Sequence, residues 1–212
     1  MKVLIVLGGD TPGDALLREQ TAGADWTIAA DRGLEAFLRC GVTPDVVLGD
    51  MDSIDEAALR RFEASGGQAK ILPRVKDDTD GVAALDLALA RGATEVVFVG
   101  ALGGRLDHAL GNCMLLVRAA NRGADACLLS ETERVLLVRG RREIHGRAGD
   151  TLSLLSLGRA RIHALSGLYY PLHDYEMTCD YPIGISNVFT QETAVVEVSE
   201  GDVLCFLPQV ND

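Results

Sequence analysis

Positive charge is scarce in this chain: 20 Lys and Arg stand against 31 Asp and Glu in 212 residues, a formal net charge of −11. Such a surface repels a phosphodiester backbone and an anionic bilayer, so nucleic acid and membrane are excluded as default partners. A small anionic ligand needs a cation to escort it. Aromatic residues make up 5% of the chain. With the single tryptophan, Trp26, in a predicted strand, any stacking surface falls to Tyr169, Tyr170, Tyr175, Tyr181 or Phe189, or to an aliphatic substitute. Cysteine is limited to Cys40, Cys113, Cys127, Cys179 and Cys205, an odd number without a CxxC pair. That excludes a disulfide framework and a thiolate zinc site, and a reducing cytoplasm is the expected compartment. Long apolar runs are missing too: Val3–Leu7 stops at Gly-Gly-Asp, too short for a signal segment or a membrane span, and reads as a first buried strand.

What is present is an alternation. Short β-branched runs at 3–7, 26–30, 45–49, 69–72, 95–100 and 126–130 are separated by segments of helical period, the signature of βαβ units around a parallel sheet. Thr11 and Pro12 open the first helix, and Gly41, Gly66, Gly92 and Gly123 stand just past the ends of the other predicted helices, where a left-handed residue terminates them. After Ser130 the runs shorten and are split by Gly, Pro and charged turns, with nothing of helical length. The pattern predicts an α/β domain over 1–132 followed by an all-β domain over 133–212, a small sandwich or barrel.

The aspartates fall in a telling place. Asp10 follows the first strand, Asp31 the second, and Asp50 and Asp52 the third. Asp77, Asp78 and Asp80 follow the fourth, and Asp107 the fifth. In a parallel sheet all these loops share one edge, the edge where open α/β folds bind ligands. Carboxylates crowded there raise one another's pKa or demand a cation. Oxygen donors without a His or Cys cluster favour a hard ion such as Mg²⁺, which takes one or two carboxylates together with substrate phosphates. Lys76 and Arg105, in the same loops, supply fixed positive charge for phosphate oxygens. A single Asp, Ser or Thr in such a loop is as ordinary as a helix cap, and Ser53, Thr79 and Asp80 stand where caps belong. Three acidic motifs on successive loops are not ordinary. The segment GGDTPGD imitates a P-loop, but Asp14 occupies the place of the phosphate-binding Lys, so it reads as a tight turn expected to line a nucleotide and not as a P-loop.

These loops resemble the thiamine pyrophosphokinase family. The matching segments are AADRG (29–33), TPDVVLGDMDS (43–53), KDDTD (76–80) and GALGGRLDH (100–108), with the weaker GLYYPL (167–172) and ISN (185–187). The resemblance implies a parallel α/β domain, a C-terminal β-sandwich, and a homodimer with its thiamine pocket between the sandwich of one subunit and the α/β domain of the other. It implies transfer of the diphosphoryl group of ATP to thiamine, with Mg²⁺ held by Asp50, Asp52 and Asp80. Asp31, Lys76, Asp77, Thr79, Arg105, Asp107 and His108 are then expected around the nucleotide. Tyr170, Ser186 and Asn187, with Asp80, are expected at thiamine. Asp80 or Asp107 would orient or deprotonate the acceptor hydroxyl. Where the family often has Asp-Gly-Gly, this chain has Asp31-Arg32-Gly33, and Arg32 either crowds the rim or adds a phosphate contact. A pyrophosphokinase acting on a pterin alcohol, a metal-dependent nucleotide hydrolase and a nucleotide sensor are the competing readings of the same rim.

Overall fold

Strands of four or five apolar residues need both faces covered, and the helical segments between them do that covering. The computed structural model describes residues 1–49, 56–64, 68–71 and 78–209. The chain divides into two units, Met1–Glu131 and Thr132–Asp212.

In the first unit β1 (Lys2–Val6), α1 (Asp14–Ala22), β2 (Trp26–Ala30), α2 (Gly33–Arg39), β3 (Val46–Gly49), α3 (Glu56–Ala64), β4 (Gln68–Ile71), α4 (Asp80–Ala90), β5 (Glu95–Val99), α5 (Leu106–Asn121) and β6 (Asp125–Leu129) follow in turn. The sheet order is β6-β5-β1-β2-β3-β4, and every pair in it is parallel. Right-handed crossovers place α1–α3 on one face and α4–α5 on the other, and α1 packs on α2, α2 on α3 and α4 on α5. Both faces of β1, β2 and β5 are therefore buried, which is why these strands read as continuous apolar runs without alternation. Fully buried Leu4, Ile5, Ile28, Leu34, Phe37, Leu85 and Phe98 fill the core, each contributing about 1.5–3 kcal/mol of burial.

The order in which successive strands are laid down reverses between β1 and β5, with β2 to β4 on one side and β6 on the other. The crevice at the carboxyl ends of such a reversal is where an open α/β sheet takes its ligand. The loops after β1 and β5 are bonded to each other there: Leu7 N–H donates to Val99 O (2.8 Å), Gly9 N–H to Gly100 O (2.9 Å) and Asp10 N–H to Leu102 O (3.1 Å). A Cβ on Gly9 would stand 2.4 Å from the Gly100 oxygen, so no side chain fits at that crossing. The first helix starts later than Thr11 and Pro12 imply, at Asp14 with Gly13 as its cap, and the Gly13 N–H donates to the Glu131 carboxylate. Gly41, Gly92 and Gly123 do end their helices with positive φ; Gly66 lies outside the described residues.

The second unit has only strands among its described residues: β7 (Glu133–His145), β8 (Thr151–Ser156), β9 (Arg159–Ser166), β10 (Leu172–Thr178), β11 (Asn187–Val188) and β12 (Thr193–Pro208). These strands pair with one another antiparallel, β12 against β7, β8 and β9, β9 against β10 and β8 against β11. The first half of β12 pairs with β9 and the second half with β8. The change of partner falls at a register shift between Val198 and Val203, where Arg139 and Asp202 are joined by a bidentate pair.

Two glycines give opposite expected outcomes. Gly33 opens α2 against the end of β1, and a Cβ there would meet the Val6 carbonyl oxygen at 2.1 Å; Gly33→Ala should destabilise the chain by about 1–3 kcal/mol. Gly111, inside α5, has nothing within 4 Å of its Cβ position, and Gly111→Ala should stabilise by about 0.5–1 kcal/mol. Urea unfolding curves of the two variants check both.

Candidate active site

A cavity of about 550 Å³ lies at the sheet reversal. The turn after β1 supplies Gly8, Gly9 and Asp10 to its lining, and the turn after β2 supplies Asp31 and Arg32. The start of α4 adds Asp80 and Gly81. The loop after β5 and the first turns of α5 add Gly103, Gly104, Arg105, His108 and Asn112. A second cavity of about 360 Å³ adjoins it, sharing Leu7, Gly8, Gly9 and Arg32 and adding Thr11, Pro12, Glu35, Ala36 and Arg39.

Each wall is fixed by a local reason. Asp31 has φ +49°, a left-handed conformation that Asp tolerates better than most residues, and its N–H donates to Leu48 O at 3.0 Å. Its carboxylate lies against the bare α-carbon of Gly49, where a Cβ would come within 2.2 Å of Oδ1. Asp80 begins α4, and Thr79 caps that helix, its hydroxyl accepting from Val82 N–H at 3.3 Å. Asn112 donates from Nδ2 to the Ala101 carbonyl at 2.7 Å, tying α5 to the loop after β5. Gly81 lets α4 and α5 approach closely, since a Cβ there would stand 2.9 Å from a Leu115 methyl carbon. Asp86 and Arg118 join the same two helices through bonds of 2.6 and 2.8 Å.

The expected residues separate into groups. Asp31, Asp80, Arg105 and His108 line the cavity together. Asp107 does not; it accepts a forked pair from Arg105 (3.1 and 2.6 Å) and its own neighbour's N–H, that of His108, at 3.0 Å. The Arg105 guanidinium, followed by the His108 N–H, holds the Asp107 carboxyl below the usual carboxylate range. Asp50, Asp52, Lys76 and Asp77 lie outside the described residues. Asp10 joins the lining, in the turn that the sequence placed at the nucleotide, and so does Asn112, which nothing in the sequence marked.

In the second unit GLYYPL and ISN come together. Leu168 bridges Phe189, and Tyr169 N–H donates to Val188 O at 2.8 Å. Asn187, 5% exposed, accepts through Oδ1 from Tyr170 N–H (3.0 Å) and Val188 N–H (2.9 Å), and donates through Nδ2 to Tyr170 O (2.8 Å). Its amide therefore serves the Tyr170 backbone. Ser186 is exposed and has φ +58°, with its N–H on Ser153 Oγ at 3.0 Å. The Tyr169 and Tyr170 rings meet edge to face at 4.9 Å and are 66% and 62% exposed. Tyr181, Ile183 and Ile185 are exposed as well.

Carboxylates and guanidinium groups gathered at the reversal point of a parallel sheet define a class: an α/β enzyme that handles a phosphorylated ligand. Comparison with known proteins narrows it. The thiamin pyrophosphokinase catalytic domain matches residues 17–128, and the family's vitamin B1 binding domain matches 141–203. Thiamine pyrophosphokinase of Bacillus subtilis (strain 168) is 28% identical over 177 residues, 82% of this chain and 83% of that protein. Thiamine pyrophosphokinase 2 of Arabidopsis thaliana is 31% identical over 179 residues, 76% of this chain and 64% of the longer plant protein. The crystal structure of the Bacillus subtilis thiamine pyrophosphokinase superposes over 100% of both chains, with a TM-score of 0.86 and 25% identity. The chain belongs to the thiamin pyrophosphokinase family of transferases. No helix among its described residues is long and apolar enough to cross a membrane.

Replacing Arg105 by Ala should let the Asp107 carboxyl rise toward the ordinary aspartate value of about 3.9, so that it protonates at a higher pH than in the parent. A carbon-detected carboxyl titration by NMR reads this directly. Asn187→Ala should cost about 1–3 kcal/mol, because it strips partners from both polar groups of the Tyr170 backbone, and thermal unfolding measures it.

Proposed function

We propose that the chain transfers the diphosphoryl group of ATP to the primary alcohol of thiamine, forming thiamine diphosphate and AMP. The observation that carries this reading is the joint presence of Asp31, Asp80, Arg105 and His108 on one cavity wall, within the segment that matches the family's catalytic domain.

Diphosphoryl transfer needs in-line placement of the attacking oxygen and cancellation of charge on the phosphorus oxygens, with little covalent work from the protein. Arg105 lines the cavity with an exposed guanidinium, suited to the oxygens of the transferring group. Asp107 steadies it from behind. Asp80 lies at the cavity itself, and as an orienting or proton-accepting group it is better placed than Asp107, whose affinity for a proton Arg105 lowers. His108 and Asn112 complete the lining with polar side chains.

The donors offered to a metal are carboxylates, chemistry that fits Mg²⁺. Asp80 would hold it with Asp50 and Asp52, residues beyond the described part; among the described residues no three candidate ligands are clustered closely enough to hold an ion by themselves. When bound, Mg²⁺ supplies neutralisation of phosphate charge. For the acceptor, the reading assigns Tyr170 and Ser186 to contact with thiamine and gives Asn187 the task of holding the Tyr170 backbone in place. The second unit then serves as the vitamin-binding part, sandwich-like in its layering, and the exposed apolar residues of both units support a homodimer with the thiamine pocket at the subunit interface. A cytoplasmic enzyme is in keeping with five free cysteines.

Phosphorus NMR of the protein with ATP, Mg²⁺ and thiamine tests the reaction. Thiamine diphosphate and AMP should appear together and only with all components. AMP formed without thiamine would instead mark a hydrolase, and ADP with thiamine monophosphate a single phosphoryl transfer. Asp80→Asn should lower kcat by about 10²–10⁴-fold at saturating Mg²⁺.

A further inference from the structure

Arg32 stands where two cavities meet, lining both. Its position is overdetermined: Asp31 before it is held in the left-handed conformation, and Gly33 after it has no room to move, its Cβ position 2.1 Å from the Val6 carbonyl oxygen. The side chain leaves the turn across Gly8. A Cβ on Gly8 would lie 3.6 Å from the Arg32 Cβ and 4.0 Å from its Nε. One bond fastens the far end, from Nη2 to the Gly8 carbonyl at 3.1 Å.

That single bond leaves most of a guanidinium's five N–H donors in hand. No carboxylate pairs with Arg32 among the described residues, in contrast to its neighbours. Arg105 is forked onto Asp107, and Arg39 is held by Asp14 at 2.7 Å and by the Pro12 carbonyl. Arg32 thus faces a cavity whose other charged groups include Asp10, Asp31 and Asp80, yet spends its charge on none of them. A planar fork set in place and left open is suited to phosphate oxygens.

We infer that Arg32 binds the phosphate chain of the nucleotide and makes the site select a nucleoside triphosphate over the bare nucleoside. The inference rests on the reading of the larger cavity as the nucleotide site. It also decides between crowding and contact: the stem is seated on Gly8 and away from collision, so the guanidinium adds an interaction.

Calorimetric titration of the parent, Arg32→Gly and Arg32→Lys with ATP, AMP and adenosine, in Mg²⁺ buffer, tests it. Arg32→Gly should weaken ATP by about 10- to 100-fold, the range for a hydrogen bond to a charged group, and leave adenosine unchanged. Arg32→Lys, which keeps the stem and the charge but loses the fork, should fall between. In turnover the Arg32→Gly loss should appear in the KM for ATP, with the KM for thiamine unmoved. AMP shows whether the contact is to the phosphate nearest the ribose. Unchanged or tighter ATP binding in Arg32→Gly, or an equal loss for adenosine, would overturn the role of Arg32. Failure of the parent itself to bind ATP, or Asp80→Asn and Arg105→Ala binding it as the parent does, would instead overturn the nucleotide reading of the cavity and the inference with it. Thermal unfolding of each variant confirms that a folded protein is being titrated.

Discussion

The backbone seam between the turns after β1 and β5 is the constraint on which the site depends. Its three hydrogen bonds extend the pairing of two central strands beyond the sheet, and they form only because Gly9 and Gly100 carry no side chain to force the turns apart. A Cβ on Gly100 would meet the Leu7 oxygen at 2.5 Å, the mirror of the restriction at Gly9. With the seam closed, Asp10 is brought over Gly103, whose Cβ position coincides with the Asp10 carboxyl group. The turns joined by the seam give the cavity lining Gly8, Gly9, Asp10, Gly103 and Gly104, and the turn after β2 and the start of α4 add Asp31, Arg32 and Asp80. Four glycines among these residues keep the cavity open to close approach without side-chain bulk.

Much of this architecture was legible because it follows from periodicity. Six apolar runs separated by helical segments could hardly cover both faces of a sheet in any other way, and the aspartates that end several of those runs had to share one edge. The helix stops at Gly41, Gly92 and Gly123 were legible for a similar reason, since a left-handed residue is a local requirement. The start of α1 was not: its capping residue Gly13 donates to Glu131, more than a hundred residues away. Likewise, the sequence could put Arg105 and Asp107 in one motif but could not reveal that they spend their charges on each other. The most instructive case is Asn187. A Ser-Asn pair near exposed tyrosines reads as ligand-facing, but the fold buries the amide and turns all three of its bonds onto backbone. Composition marks polar groups that have some task; only packing tells whether the task is recognition or support.

The distribution of charge also explains how so acidic a chain can accommodate an anion. Its basic residues are few, and several are already neutralised by nearby carboxylates, including Arg118 on Asp86, Arg139 on Asp202 and Arg39 on Asp14. Two guanidinium groups, Arg32 and Arg105, line the larger cavity beside Asp10, Asp31 and Asp80.

The long strands β7 and β12 run side by side, and β12 changes its outer partner from β9 to β8 at the irregularity closed by Arg139 and Asp202. Since the β9 and β8 stretches are built on the same pair of strands, neither half of the second unit has a core of its own to retreat to when the other opens. Loosening β8 exposes the very strands that β9 needs as a template. The second unit is thereby committed to exchanging its central amides in one cooperative opening, so that the loops it carries are displayed on a support that is either whole or absent.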